Sequence, residues 1–159
     1  MSPSFSKRLL RRFLHGPVYL YRWRLGWLFG NRFLLLTHVG RRTGRRRQTV
    51  LEVMEYRDPG PELVVMSGFG PKAEWLRNIE ATSDIEITSG ADRFVASYRF
   101  LGEEEAMNVV AGYEQRNRWI GPAIRSVLSR LLGWHYRGTA ADRRRLVAQL
   151  PLIAFRPRV

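Results

Sequence analysis

The spacing of apolar and polar positions changes several times along the chain, and each change marks an element. Phe33-Leu34-Leu35-Leu36-Thr37 is a short apolar run of the kind carried by a strand covered on both faces. Val50 to Tyr56 alternates only roughly and predicts a second covered strand, starting near Thr49. Asp58-Pro59-Gly60-Pro61 is a turn signal, and Glu62 to Ser67 reads as a third strand. The glycine-rich stretch Gly68-Phe69-Gly70-Pro71 leads into helical spacing over Lys72 to Ala81. Asp84 to Thr88 alternates cleanly and Arg93 to Phe100 returns it, a hairpin with one buried face. Gly102 to Arg116 predicts a helix with Glu103, Glu104 and Glu105 matching the dipole in its first turn. Pro122 to Leu132 predicts another, Thr139 caps a last helix to Leu150, and Pro151 to Phe155 closes as a strand. Strands joined by short turns fill the centre, so the expected class is α+β: a small, largely antiparallel barrel with surrounding helices.

Ahead of the barrel, Ser6 to His15 has helical spacing, with Leu9, Leu10, Phe13 and Leu14 on one face and Lys7, Arg8, Arg11 and Arg12 mainly on the other. After His15-Gly16-Pro17, residues Val18 to Phe29 interleave tyrosine and tryptophan with arginine. Such segments either skim a membrane surface or cap a core with arginines snorkelling outward. The chain therefore divides into residues 1–30, basic and aromatic, and a barrel domain over residues 31–159.

Charge sharpens this picture. The formal net charge is +13, and Lys7 and Lys72 are the only lysines, so the excess is almost all arginine, whose planar fork suits phosphate and carboxylate. Five arginines, Arg41, Arg42, Arg45, Arg46 and Arg47, crowd the stretch between the first two strands, beside Gly40 and Gly44. Close guanidinium pairs repel by roughly 1 kcal/mol even in good solvation, so an anionic partner is expected at that hairpin. Cysteine is absent, which excludes disulfides and thiolate chemistry. Apolar runs are broken by arginine, so neither a transmembrane span nor an ordinary signal peptide is expected, and the predicted location is cytoplasmic.

The usual catalytic constellations are missing. His15, His38 and His135 show no metal-ligand spacing, and no nucleophile elbow, Walker loop or GxGxxG is present. An enzyme built this way would take its chemistry from a cofactor. A basic module binding nucleic acid through arginines and aromatics is the rival from another class; no base-stacking motif or recognition helix favours it.

Three motifs in order, Leu35 to Arg47, Val64 to Gly70 and Trp75-Leu76-Arg77-Asn78, resemble the deazaflavin-dependent nitroreductase family over about residues 33–118. The resemblance implies a split β-barrel and the reduced deazaflavin coenzyme F(420), with flavin mononucleotide or haem on the same barrel as alternatives. It implies that the coenzyme's phosphodiester and glutamate tail are held by Arg41, Arg42, Thr43 and Arg47, followed by Gln48, Thr49, Val50 and Leu51. Met66, Ser67, Gly68 and Phe69 would line the ring, Trp75 and Asn78 would close the pocket, and Tyr113 matches a tyrosine set over the substrate, so that the proton would come from Tyr113 or from solvent. The implied reaction is hydride transfer to a quinone, enone, nitro compound or similar apolar small molecule. Peripheral contact with the inner face of the cell membrane through residues 6–29 and homodimerisation complete the expectations.

Overall fold

In a barrel, side chains of one parity fill the interior, and those of the other need solvent or a second layer of helices. The computed structural model describes residues 31–159; the helices and membrane contact expected within residues 6–29 lie outside the described residues. In chain order these are β1 (Phe33–Val39), β2 (Arg46–Arg57), β3 (Glu62–Met66), α1 (Glu74–Ala81), β4 (Ile85–Ser89), β5 (Asp92–Phe100), α2 (Glu103–Arg116), α3 (Gly121–Leu132), α4 (Ala140–Gln149) and β6 (Leu152–Pro157). The strands close in the order β1-β2-β3-β6-β5-β4, and every pair is antiparallel. The chain thus forms the α+β barrel its pattern predicts.

Leu34 and Leu36 of β1, Leu63 and Val65 of β3, Ile85 and Ile87 of β4, and Ile153 and Phe155 of β6 fill the interior. Helix α1 adds Trp75, Leu76 and Ile79 to that cluster and so covers the barrel beside β1. Val64, Leu152 and Ala154 point outward instead, and they are buried beneath Val109 and Val110 of α2, Leu128 and Leu132 of α3, and Leu146 of α4. Two-sided burial explains why β3 and β6 read as unbroken apolar runs, whereas β4, with Glu86 and Thr88 half-buried, alternates.

Strand β2 starts earlier than its apolar pattern suggests. Arg46, Arg47 and Gln48 pair with Val39, His38 and Thr37, because backbone ladder bonds do not depend on side-chain polarity. Near its far end the register shifts between Val53 and Glu55, the extra residue of a bulge. The Asp58–Pro59 peptide in the following turn is cis. Thr139 caps α4 as expected, its Oγ1 accepting from the Asp142 N–H at 3.1 Å.

Arg57 and Arg99 knit β2, β3, β5 and the first turn of α2 together. Arg57 binds Glu55, Glu62 and Glu105, and Arg99 donates to Glu105 through both Nη atoms and to Glu62 through Nε and Nη2. The bonds from Arg99 and then Arg57 hold the Glu105 carboxyl down at about 2, against an ordinary 4.5. Because the unfolded chain takes up that proton first, the stabilisation is complete above about pH 4.5 and fades as pH falls toward 2. Thermal melts of Glu105→Gln should sit about 1 kcal/mol below the wild-type protein at pH 7, since solvent screens this partly exposed group. The difference should shrink below pH 4.5; a constant offset down to pH 3 would contradict the assignment.

Candidate functional site

The basic hairpin between β1 and β2 is shaped by two glycines for different reasons. Gly44 has φ +65°, a left-handed conformation disfavoured for side chains with a Cβ. Gly40 is limited by space, since a Cβ there would lie 2.8 Å from Thr43 Oγ1 and 3.0 Å from Arg47 Nε. Backbone bonds from the Gly40 N–H to Arg45 O (2.9 Å) and from the Gly44 N–H to Gly40 O (2.8 Å) close the reversal. Arg42, Thr43, Arg45, Arg46, Arg47 and Gln48 are all exposed along it.

The five arginines divide into two sets. Arg41 turns back onto α1: its Nη1 donates to Glu74 Oε2 at 2.7 Å and to Asn78 Oδ1 at 2.9 Å, and its backbone N–H donates to the same Oδ1 at 3.1 Å. Arg46 reaches Glu86 at 3.6 Å. Among the described residues, Arg42, Arg45 and Arg47 meet no carboxylate within ion-pair distance, and residues 1–30 contain no aspartate or glutamate. Three cations thus remain for a ligand. Arg45 is a donor that the family pattern did not mark.

Asn78 and Trp75 sit differently from the pocket-closing positions the resemblance implies. The buried Asn78 amide is fully engaged, with Oδ1 on Arg41 and Nδ2 donating to His38 Nδ1 at 3.2 Å. Trp75 is in the barrel interior, its ring 6.5 Å from that of Phe155. Asn78 anchors the hairpin to α1, and Trp75 anchors α1 to the barrel interior. Arg41 belongs with them: its guanidinium is committed to Glu74 and Asn78, with its side chain only 16% exposed.

On β2 the predicted residues separate by parity. Leu51 packs against the interior cluster and Thr49 turns its Oγ1 toward His38, whereas Val50 is buried on the outer face with Leu35, and Gln48 shares its parity. The next outward position is Glu52, whose Oε1 accepts from the Tyr113 hydroxyl of α2 at 2.8 Å. Burial, and then Glu52, push the Tyr113 pKa upward, so the phenol stays protonated at neutral pH. Glu52 was missed by motif reasoning, although the Gln48–Val50–Glu52 alternation points to it.

Val53 pairs with Val65, so the chain beyond Met66 runs on past the level of Glu52 on the neighbouring strand. Met66 packs into the outer layer, and Ser67 is buried with its hydroxyl donating to Gly70 O at 2.7 Å. Gly68 keeps its backbone open: a Cβ there would meet nothing closer than Leu131 Cδ1 of α3, at 3.6 Å. Phe69, half exposed at 50%, follows it. The outer face of β2 therefore carries Gln48, Val50 and the Glu52–Tyr113 pair, with Gly68 open beside Leu131 on the neighbouring segment, while Arg47 has the parity of Thr49 and Leu51 and its charge acts on the buried His38. Among the described residues no three histidine or carboxylate side chains gather as a metal site, and no helix is long and apolar enough to cross a membrane.

His38 is the buried end of the hairpin's support. Burial, and then the charge on Arg47, lower its pKa from 6.5 to about 4, so it remains neutral and accepts from Asn78. The unfolded chain protonates first here too, so stability is full above about pH 6.5 and declines as pH falls to about 4, by on the order of 2–3 kcal/mol. His38→Gln should flatten the dependence of melting temperature on pH between 6.5 and 4 while leaving the lower window of Glu105 in place. An unchanged slope between pH 6.5 and 4 would rule out His38 as its source.

These features agree with what comparison finds. A family model described as F420H(2)-dependent quinone reductase matches residues 23–124. A search of curated proteins gives no match. Similar solved structures include an F420-H2 dependent reductase (FDR-A), 17% identical over 79% of this chain and 95% of that one, at TM-score 0.44. Another is a protein of unknown function from Agrobacterium tumefaciens strain C58, 14% identical over 84% of this chain and 52% of that one, at TM-score 0.52, a likeness of fold alone. With well over half its length matched by the family model, and the three motifs on one barrel, the chain belongs to the F420H(2)-dependent quinone reductase family and is an oxidoreductase.

Proposed function

We propose that this chain binds reduced coenzyme F(420) along the outer face of β2 and passes a hydride to a quinone, enone, nitro compound or similar apolar acceptor. The observation that carries this reading is the donor set: Arg42, Arg45 and Arg47, exposed and without carboxylate partners among the described residues, at the hairpin that opens β2, a strand whose neighbour β3 leads into the open Gly68 backbone. Three guanidiniums fit a phosphodiester and a string of glutamates, each charge-assisted bond contributing ~1.5–3 kcal/mol. A glycine with space above it fits a planar ring. Bound there, the reduced deazaflavin supplies the hydride.

The residues of this chain would do the rest. Arg42, Arg45 and Arg47 with Thr43 hold the acidic tail, and Gln48, Val50, Met66, Gly68 and Phe69 position the ring. Leu131 and the exposed part of Phe69 exclude water on the acceptor side, which favours an apolar substrate. Tyr113, protonated and held by Glu52, is the proton donor to the reduced acceptor, taking its place as the catalytic residue. Arg41, Trp75 and Asn78 act through the hairpin they support.

Coenzyme binding followed by fluorescence separates these roles. Arg45→Gln/Arg47→Gln should weaken binding by about 10- to 100-fold and make it less sensitive to salt, with the melting temperature nearly unchanged. Gly68→Ala should fold normally, because the added methyl finds ordinary contact at 3.6 Å, and should still lose coenzyme affinity. Tyr113→Phe should lower kcat about tenfold or more with the coenzyme Kd preserved. Wild-type protein that shows no binding at micromolar concentration in low salt would end this reading.

A further inference from the structure

A second concentration of arginine lies on the opposite side of α2. Tyr113 and Arg116 of that helix face β2, the former reaching Glu52 and the latter donating to Met54 O. Ala111, Glu114 and Gln115 instead line a cavity of about 210 Å³ with Arg118, Gly121, Ile124, Arg125, Arg137, Gly138 and Arg143. Four guanidinium-bearing residues thus surround one carboxylate.

That carboxylate is already in use. Glu114 Oε2 accepts from Arg143 Nε at 2.8 Å and Glu114 Oε1 accepts from the Tyr136 hydroxyl. Among the described residues, the Arg118, Arg125 and Arg137 side chains form no ion pair. Asp142 accepts from the Arg137 backbone N–H at 2.7 Å and feels that residue's charge, without a hydrogen bond to its guanidinium. Residues 1–30 hold no acidic side chain to supply a partner. Gly121 lets Arg125 fold back across it, since a Cβ there would stand 3.2 Å from Arg125 Nη1. Three cations without an ion pair around one recess, Arg137 alone lying within reach of a second carboxylate, Asp142, concentrate positive potential that solvent only partly screens within about 8 Å.

We propose that this recess is a binding site for a phosphate-bearing polyanion of about pyrophosphate size, distinct from the hairpin. Arg118, Arg125 and Arg137 bind the phosphate oxygens, and Arg143, fixed by Glu114, forms the rigid wall behind them. The volume admits a compact diphosphate, and the planar donors match tetrahedral oxygens in pairs. The same chemistry is offered by a free diphosphate and by a phospholipid headgroup. Trp119, 76% exposed next to Arg118, gives the second source an apolar foothold.

The test uses the full chain, titrated calorimetrically with inorganic pyrophosphate at low salt and sedimented with vesicles of phosphatidylglycerol or of phosphatidylcholine alone. Arg118→Gln/Arg125→Gln/Arg137→Gln removes three exposed side chains that carry no ion pair among the described residues, so folding should persist, as a matching melting temperature would verify. Arg137→Gln alone serves if the triple variant is unstable. Pyrophosphate affinity should fall about tenfold or more in the triple variant and stay within about twofold in Arg45→Gln/Arg47→Gln. Vesicle binding lost in the triple variant, with weak pyrophosphate binding in the wild type, would support the headgroup as source. Binding of both probes unaffected by the triple variant, abolished by the hairpin variant, or absent from the wild type would overturn the proposal.

Discussion

An amide withdrawn from water must find protein partners for its oxygen and nitrogen or forfeit a kcal/mol or more for each, and Asn78 meets that requirement across three elements. Its oxygen holds both the backbone and the guanidinium of Arg41, and its nitrogen holds His38. The start of the hairpin, the end of β1 and helix α1 are therefore fixed by one side chain. With Arg41 drawn inward, the chain must reverse between Gly40 and Gly44, and the following arginines are left outside. Positioning of the basic hairpin is in this sense a consequence of satisfying one buried group.

The two cores divide the labour of the fold. The interior cluster, closed by Trp75, Leu76 and Ile79, makes the barrel; the outer cluster beneath α2, α3 and α4 determines which stretches of the sheet stay uncovered. Helix α2 ends its reach over β2 with Tyr113 on Glu52, and α3 brings Leu131 to Gly68. Helix packing, more than any single catalytic group, shapes the site.

Arginine has separate uses in the three places where it gathers. Around Arg57 and Arg99 it is matched by Glu55, Glu62 and Glu105 and serves as a staple between strands and helix. At the hairpin and around Glu114 it exceeds the available acid. The same residue type thus reads as structural or as ligand-binding according to whether carboxylates come to it, which depends on distance in space rather than on composition.

Much of the architecture was legible from residue order. The alternation of Ile85 to Ser89, the unbroken run of β3 and the glutamates opening α2 follow from local periodicity and the helix dipole, so strands, helices and an antiparallel barrel could be read directly. The hairpin chemistry was also visible, because Gly40, Gly44 and the arginines are neighbours in sequence. What the chain order could not express is which cations are paired: Arg41 is engaged by Glu74 and Asn78, more than thirty residues away, while Arg45 meets no carboxylate among the described residues. Nor could it place Trp75 inside the barrel or bring Tyr113 to Glu52. Those outcomes are set by contacts between distant segments, which exist only once the barrel has closed and each side chain has met whatever its face of the sheet brings to it.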